Sequence, residues 1–505
     1  MSLKTLIAAP LALAVLAVPL AAVAQDKDAP AKPDAKKADD APKPDLPPLP
    51  ADKSVSQSAV IAGRTIRYTA TVGTIPVYND DGKKIGQVVY TAYTVPGGDP
   101  RRPVTFAFNG GPGASSAFLN MGAIGPKRVP FGDQGNAPSD APIAQDNPSS
   151  WLDMTDLVFI DPIGTGFSRS LEDKDKTKKD FFTPDTDVNY LSRVVYDWLV
   201  KNDRLRARKY VIGESYGGYR VPRIAYHLQT QLGVGVNGIF MVSPYLDPAS
   251  VSGDNALSPL PWMINLPSMA AGHLEREGKL TPAAMAPIEA YAQGQFVTDL
   301  LQGRSDPAAL DRLTSQVSTL TGLDPKLVRR LDGRIDIDTY LREVHRDDQK
   351  IGSVYDSNVD AFDPFPSSAE RKSGDPILEA SIAPLTSAMV DFDTRVVGWK
   401  TDARYNALSY AVNAAWDMGT PDDKPVTELR KAIANDPNMT VMIAHGYDDL
   451  SCPYFGSKLI LQQMPRYGTE NRVQLHVYPG GHMFYARPAS NASFKADAGK
   501  LIEQG

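Results

Sequence analysis

Four short runs of unbroken apolar sequence set the strongest limit on how this chain folds: VTFAF (104–108), DLVFID (156–161), YVIG (210–213) and GIFMVS (238–243). A strand with one wet face alternates apolar and polar residues, whereas a strand apolar at every position is buried on both faces. Between the second and third runs, Leu191, Val194, Val195, Trp198 and Leu199 fall on one face at helical spacing. Strands alternating with helices build a mostly parallel sheet covered by helices. The rhythm stops over residues 250–420, which read as mostly helical with prolines and charged loops. It resumes with a helix near 425–435, TVMIAHG (440–446), VQLHVYPG (473–480) and a C-terminal helix. The expectation is an α/β domain built from residues 55–249 and 421–505, with 250–420 inserted as a mainly helical cap. Ahead of the first run, residues 64–95 alternate β-branched and aromatic residues around a turn at Asn79-Asp80-Asp81-Gly82. That pattern is an antiparallel lead-in to the larger sheet.

The N-terminus, MSLKTLIAAPLALAVLAVPLAAVAQ, has a positive start, an apolar run and small residues at Ala22 and Ala24. Pro10 and Pro19 interrupt the run, so it reads as a secretory signal cleaved after Ala24 rather than a membrane anchor. Its alanine-rich character points to a bacterial protein, periplasmic or secreted. Residues 25–54 are proline, alanine and charge, expected to form a disordered tether. No later segment is long and apolar enough to span a bilayer. The net charge of -6 and the absence of a basic stretch with interleaved aromatics argue against a nucleic-acid partner. Cys452 is the single cysteine, so no intramolecular disulfide forms and stability rests on the core. Neither H-E-x-x-H nor a clustered ligand spacing occurs, so no metal or cofactor is expected.

The stretch KYVIGESYGGYRVP (209–222) carries Gly213-Glu214-Ser215-Tyr216-Gly217, a G-x-S-x-G pattern between a strand and a helix. Most serines in such turns only cap a helix. The strand–turn–helix context here is that of a nucleophile elbow. A serine hydroxyl needs a base to act as a nucleophile. Of six histidines, His482 follows a strand in the glycine-rich PGGHMFYARP, near the C-terminus. His227 falls in the helix after the elbow, His273 and His345 in the insertion, and His476 within a strand. His445, ending a strand, is the best rival. The order serine–acid–histidine favours His482. The acid then lies in HGYDDLSCP (445–453), where either Asp448 or Asp449 could orient the imidazole. Oxyanion donors are expected from the glycine loop FNGGPGASS (108–116), at the N–H of Gly111, and from the N–H of Tyr216.

Together, NGGPGASS (109–116), NPSSWLDMTDLVFIDPIGTGFS (147–168), GESYGGYRVP (213–222), the Asp449 block and GGHM (480–483) resemble the serine carboxypeptidase family. The resemblance implies an α/β-hydrolase fold with a cap and the triad Ser215, Asp449 and His482. Asp449 matches because the family's acid stands four residues before a proline or asparagine, here Pro453. It also implies that Asn109, Glu214 and the N–H of Gly110 bind the terminal carboxylate of a peptide substrate. Cys452 matches a pocket position where some relatives hold a free thiol, and Met483 stands beside it as a further pocket residue. The partners implied are peptides with a free C-terminus. Three positions depart from the family: Ala107 where many relatives have tryptophan, Ala123 where many have a second glutamate, and Ala114 in place of a cysteine. A carboxylate beside a bound carboxylate works only if one proton is shared, since like charges raise a pKa. Glu214 is therefore expected to act protonated, favouring acidic pH, with protonation of His482 setting the lower limit. The alternative is an esterase or acyltransferase of the same fold acting on small-molecule esters.

Overall fold

The computed structural model describes residues 46–97, 99–130, 138–139, 142–246, 257–368, 370–419, 424–468 and 472–504. The stretch expected as a signal peptide (1–24) and the larger part of the expected tether (25–45) lie outside the described residues.

The centre is a ten-stranded sheet. Its strands are β1 (Lys53–Ile61), β2 (Arg64–Tyr78), β3 (Lys84–Thr94), β4 (Val104–Phe108), β5 (Asp156–Ile160), β6 (Lys209–Glu214), β7 (Gly238–Val242), β8 (Thr440–Gly446) and β9 (Val473–Tyr478). They lie in the order β1-β2-β3-β5-β4-β6-β7-β8-β9, and the two-residue strand Arg169–Ser170 pairs beside β3. The first three strands form an antiparallel meander that joins β5, and every pair from β5 to β9 is parallel. The turn between β2 and β3 is closed by Gly82 N–H donating to the Asn79 carbonyl at 3.0 Å. Strand β1 starts at Lys53, inside the stretch expected as tether. Asp52 anchors that start by accepting from Thr74 N–H at 3.0 Å and the Tyr90 hydroxyl at 2.9 Å.

The unbroken apolar runs are buried on both faces, and the alternation within each decides which core each side chain enters. Ala107, Leu157, Phe159, Ile212, Phe240, Val242 and Met442 face one core; Phe106, Val158, Ile160, Val211, Ile239, Met241 and Ile443 face the other. Helix α1 (Pro184–Lys201) covers the second face with Leu191, Val194, Val195, Trp198 and Leu199. Its start is fixed by Pro184 in the first turn and by Thr183, whose hydroxyl accepts from Thr186 N–H. Helices α2 (Tyr216–Gln231) and α5 (Lys424–Asn435) complete that layer. On the opposite face lies α7 (Pro488–Gln504), through Phe494, Ala498, Leu501 and Ile502.

The chain between β7 and β8 carries α3 (Leu260–Arg276), shorter helices at Pro282–Tyr291, Pro307–Thr321, Pro325–Arg330 and Ile337–Glu343, a small ribbon, and α4 (Pro376–Asp391). Its last part returns to the main body. Trp399 and Tyr405 are buried against Phe167, and Leu408 bridges to Ala114. Helix α6 (Tyr454–Gln463) follows β8. Among the described residues, no helix is long and apolar enough to cross a membrane.

Candidate active site

In open α/β sheets, ligands bind beyond the carboxyl ends of the strands, where the strand order reverses. Here β4 lies between β5 and β6, and the groups singled out from the sequence gather at that edge. Asn109 follows β4, Glu214 ends β6, Asp449 follows β8 and His482 follows β9.

The β6–α2 turn explains its glycines. Ser215 sits at φ 60°, ψ -122°, a strained conformation for a residue with a side chain. A Cβ on Gly213 would come within 2.0 Å of the Gly217 carbonyl oxygen, and one on Gly217 within 2.3 Å of that of Phe108. Only glycine permits this approach of β4, β6 and α2. The turn is pinned by Ser215 N–H donating to the Val242 carbonyl at 2.9 Å and Tyr245 N–H donating to the Ser215 carbonyl at 3.1 Å.

Of the two adjacent aspartates, Asp449 meets His482: the imidazole Nδ1 donates to Asp449 Oδ2 at 2.7 Å. The other Asp449 oxygen accepts the N–H groups of Ser451 and Cys452 at 2.8 and 2.9 Å. Both Asp449 and His482 are buried. Burial alone would depress the imidazole pKa, but the Asp449 carboxylate and the Cys452 thiol raise it well above its ordinary value. The His482 loop is held from the chain that precedes α4. Its N–H donates to the Tyr355 carbonyl, and the two rings meet edge to face at 5.2 Å. The rival His445 is buried and tied to the Ser457 hydroxyl at 2.8 Å. Burial lowers its pKa to about 4, which keeps it neutral.

A pocket of about 320 Å³ is lined by Ser215, His482, Asn109, Gly110, Gly111, Glu214, Tyr216, Cys452 and Met483. Asp449 stands behind His482. Tyr245, Tyr355, Leu378, Leu408 and Met418, none of which the sequence marked, also line it, and all five come from the run between β7 and β8. Trp399 and Tyr405 are core residues, and Trp262 packs among the helices that follow β7. The alanines at 107, 114 and 123 are all buried, and Ala114 also lines the pocket.

Asn109 and Glu214 are joined directly, Asn109 Nδ2 donating to Glu214 Oε2 at 2.7 Å. Asn109 is fixed on its other sides. Its Oδ1 accepts Leu119 N–H at 3.0 Å, and its carbonyl accepts from Arg220 at 2.6 Å. Arg220 in turn is in a fully buried ion pair with Asp187 at 2.6 Å. Sequence reasoning missed Tyr485, whose hydroxyl donates to both Glu214 oxygens, at 2.9 and 2.8 Å. Burial raises the Glu214 pKa to about 7, against the opposing influence of His482, Tyr485 and Asn109. Burial supplies this elevation before any substrate carboxylate arrives, so the incoming charge expected from the sequence is not its source.

Residues 77–251 match the model of a family described as serine carboxypeptidase. Among curated proteins, serine carboxypeptidase-like 36 of Arabidopsis thaliana is 29% identical over 205 residues, which is 40% of this chain and 39% of that protein. Pheromone-processing carboxypeptidase KEX1 of Ogataea parapolymorpha is 30% identical over 180 residues, 34% of this chain and 24% of that protein. The chain thus matches well under half the length of these relatives. The crystal structure of Kex1(delta)p, a prohormone-processing carboxypeptidase from Saccharomyces cerevisiae, covers 86% of this chain and 91% of its own. Its TM-score is 0.54 at 16% sequence identity. This likeness, with the mostly parallel sheet flanked by helices, establishes the α/β-hydrolase fold.

Proposed function

We propose that this chain is a serine-type carboxypeptidase, removing C-terminal residues from peptides through a Ser215–His482–Asp449 acyl-enzyme mechanism. The observation that carries the reading is the hydrogen-bonded pair Asn109–Glu214, buried one residue from Ser215 and lining the same pocket as His482. A nucleophile alone fits any acyl transfer. A buried carboxyl paired with an amide beside it fits a substrate that ends in a carboxylate.

In this reading Ser215 Oγ attacks the last peptide carbonyl and its proton passes to His482 Nε2. Asp449 holds the Nδ1–H tautomer and stabilises the imidazolium. The N–H groups of Gly111 and Tyr216 stabilise the oxyanion. The tetrahedral species collapses as His482 returns the proton to the leaving amine, which departs as a free amino acid. Water then attacks the acyl-enzyme by the same route and restores the serine. Asn109 Nδ2 has a second N–H for the substrate carboxylate, and protonated Glu214 donates the other hydrogen bond, with Gly110 N–H beside them.

The pH dependence follows from one proton. The productive state has neutral His482 and protonated Glu214. Charged His482 with ionised Glu214 holds the same number of protons, so the pair titrates together. A bound carboxylate favours the proton on Glu214 and thereby selects the productive arrangement. As pH rises through the Glu214 value of about 7, that proton is lost and carboxylate binding weakens.

A periplasmic or secreted location accompanies this reading and rests on the N-terminal sequence pattern. The division into hydrolase segments at 55–249 and 421–505 with a cap at 250–420 belongs to this reading too and rests on the strand–helix rhythm of the sequence. Mass spectrometry of a peptide digest tests the activity: residues should be lost singly from the C-terminus, and a Ser215→Ala protein should release none. Ester hydrolysis with no peptide trimming would instead establish the esterase or acyltransferase reading.

A further inference from the structure

We propose that Tyr485 is a positioning residue of the carboxylate-binding site, its single O–H shared between the two oxygens of Glu214 so that the carboxyl is held in one plane beside Asn109. The inference rests on the function proposed above for Glu214, and goes beyond it by assigning a role to a residue outside the sequence motifs.

A buried carboxyl rotates about its last side-chain torsion unless both oxygens are constrained. Asn109 constrains one oxygen only, Oε2. The Tyr485 hydroxyl lies 2.9 Å from Oε1 and 2.8 Å from Oε2, so it engages both oxygens, and together with the Asn109 bond to Oε2 it opposes rotation of the carboxyl. Tyr485 is itself fully buried. Its short turn, Phe484–Ala486, packs on the turn Leu119–Ile124, which carries Ala123. Arg128 donates to the Ala486 carbonyl at 3.1 Å, and Phe484 stacks on Tyr478 at 4.9 Å. The phenol therefore has one place to be. Burial and the neighbouring Glu214 hold its own ionisation well above the ordinary range, so it remains a donor at every working pH.

Two consequences follow. Loss of the hydroxyl frees the carboxyl plane and weakens binding of substrate carboxylate. It also removes a hydrogen bond that favours ionised Glu214, so the proton stays on to higher pH. The titratable and charged groups around Glu214 are His482 and Asp449 from the loops after β9 and β8, Tyr485 itself, and the Arg220–Asp187 pair beneath the Asn109 carbonyl. None of the others is touched by a Tyr485→Phe change, which keeps the ring and its packing.

The test compares wild-type and Tyr485→Phe proteins on an N-blocked dipeptide with a free C-terminus. At pH 5 the variant should show a KM raised about 3- to 10-fold, with a smaller loss in kcat. Its affinity should fall off at a pH about one unit higher than in the wild type. In parallel, infrared difference spectra assign the protonated carboxyl band of Glu214 by its disappearance in Glu214→Gln. That band should persist to higher pH in Tyr485→Phe. An unshifted band overturns the proposal whatever the activity. A shifted band with no cleavage of any free-acid peptide by the wild type leaves Tyr485 acting on Glu214 and removes the peptidase reading instead. Equal losses in kcat and KM with an unshifted band would reduce Tyr485 to packing.

Discussion

Asp448 and Asp449 are neighbours in the chain and serve opposite partners. Asp449 accepts from His482 Nδ1 at 2.7 Å, whereas Asp448 points into a buried cluster with Glu275, Asp356 and Arg487. Burial, Glu275 and Asp356 push the Asp448 pKa well up, so it keeps its proton. Asp449→Asn removes the imidazole's orienting charge and should cost about 10³- to 10⁴-fold in kcat. Asp448→Asn, which preserves a neutral donor, should leave turnover intact. Steady-state kinetics on the two variants check this, and comparable losses in both would contradict the assignment.

The same cluster joins four elements. Arg487 follows the His482 loop and lies 2.8 Å from Asp356; it also pairs with Glu275 of α3. Burial would raise the Glu275 pKa, but its hydrogen bonds from Asp448 and Arg487 and the Arg487 charge bring it down to about 2. Arg487→Met leaves these carboxyls without their cation and should cost about 3–5 kcal/mol, the range for breaking a buried ion pair. Chemical denaturation at pH 7 measures the loss. It should shrink toward pH 4, where the stranded carboxyls take up protons.

Stability should fall as pH rises from 5 to 8. Burial raises Asp161 from 3.8 to about 7 and Glu214 from 4.5 to about 7, and Asp393 is raised well above 3.8. The native state thus binds more protons than the unfolded one across this window, and stability declines with pH until the folded values are passed. His482, also raised, acts in the same direction: its contribution is complete below 6.5 and is lost as pH passes the folded value. Glu275 opposes below its unfolded value of 4.5, and His445, lowered by burial to about 4, opposes below its unfolded value of 6.5, so the decline is steepest above that pH. Calorimetric midpoints should drop by the equivalent of a few kcal/mol, at about 1.4 kcal/mol per pKa unit. Asp161→Asn should flatten the slope.

Strands β4 to β8 could be read because each is built around a short, mostly apolar run, a pattern that needs no tertiary information. The elbow could be read because its pattern is short: Gly213 and Gly217 flank the serine within five residues, although the contact that Gly217 makes room for, with the Phe108 carbonyl, is distant in sequence. Asp449 was separated from Asp448 only by resemblance, since the two differ in the direction each side chain takes after β8. Tyr485 was invisible because its partner Glu214 is 271 positions away and no periodicity connects them. Tyr355, Leu378, Leu408 and Met418 enter the pocket from loops and helices with no strand rhythm to place them. The elevation of Glu214 was anticipated, but its cause, burial, depends on packing that the local sequence does not carry.

The most direct measurement is kcat/KM for an N-blocked dipeptide and for its C-terminal amide, from pH 4 to 8, with Ser215→Ala as control. The free acid should be cleaved in preference at low pH, the preference should fade as pH rises through about 7, and the control should be inert. Equal cleavage of acid and amide across the range, or a preference that grows above neutrality, would contradict a carboxylate site built on protonated Glu214.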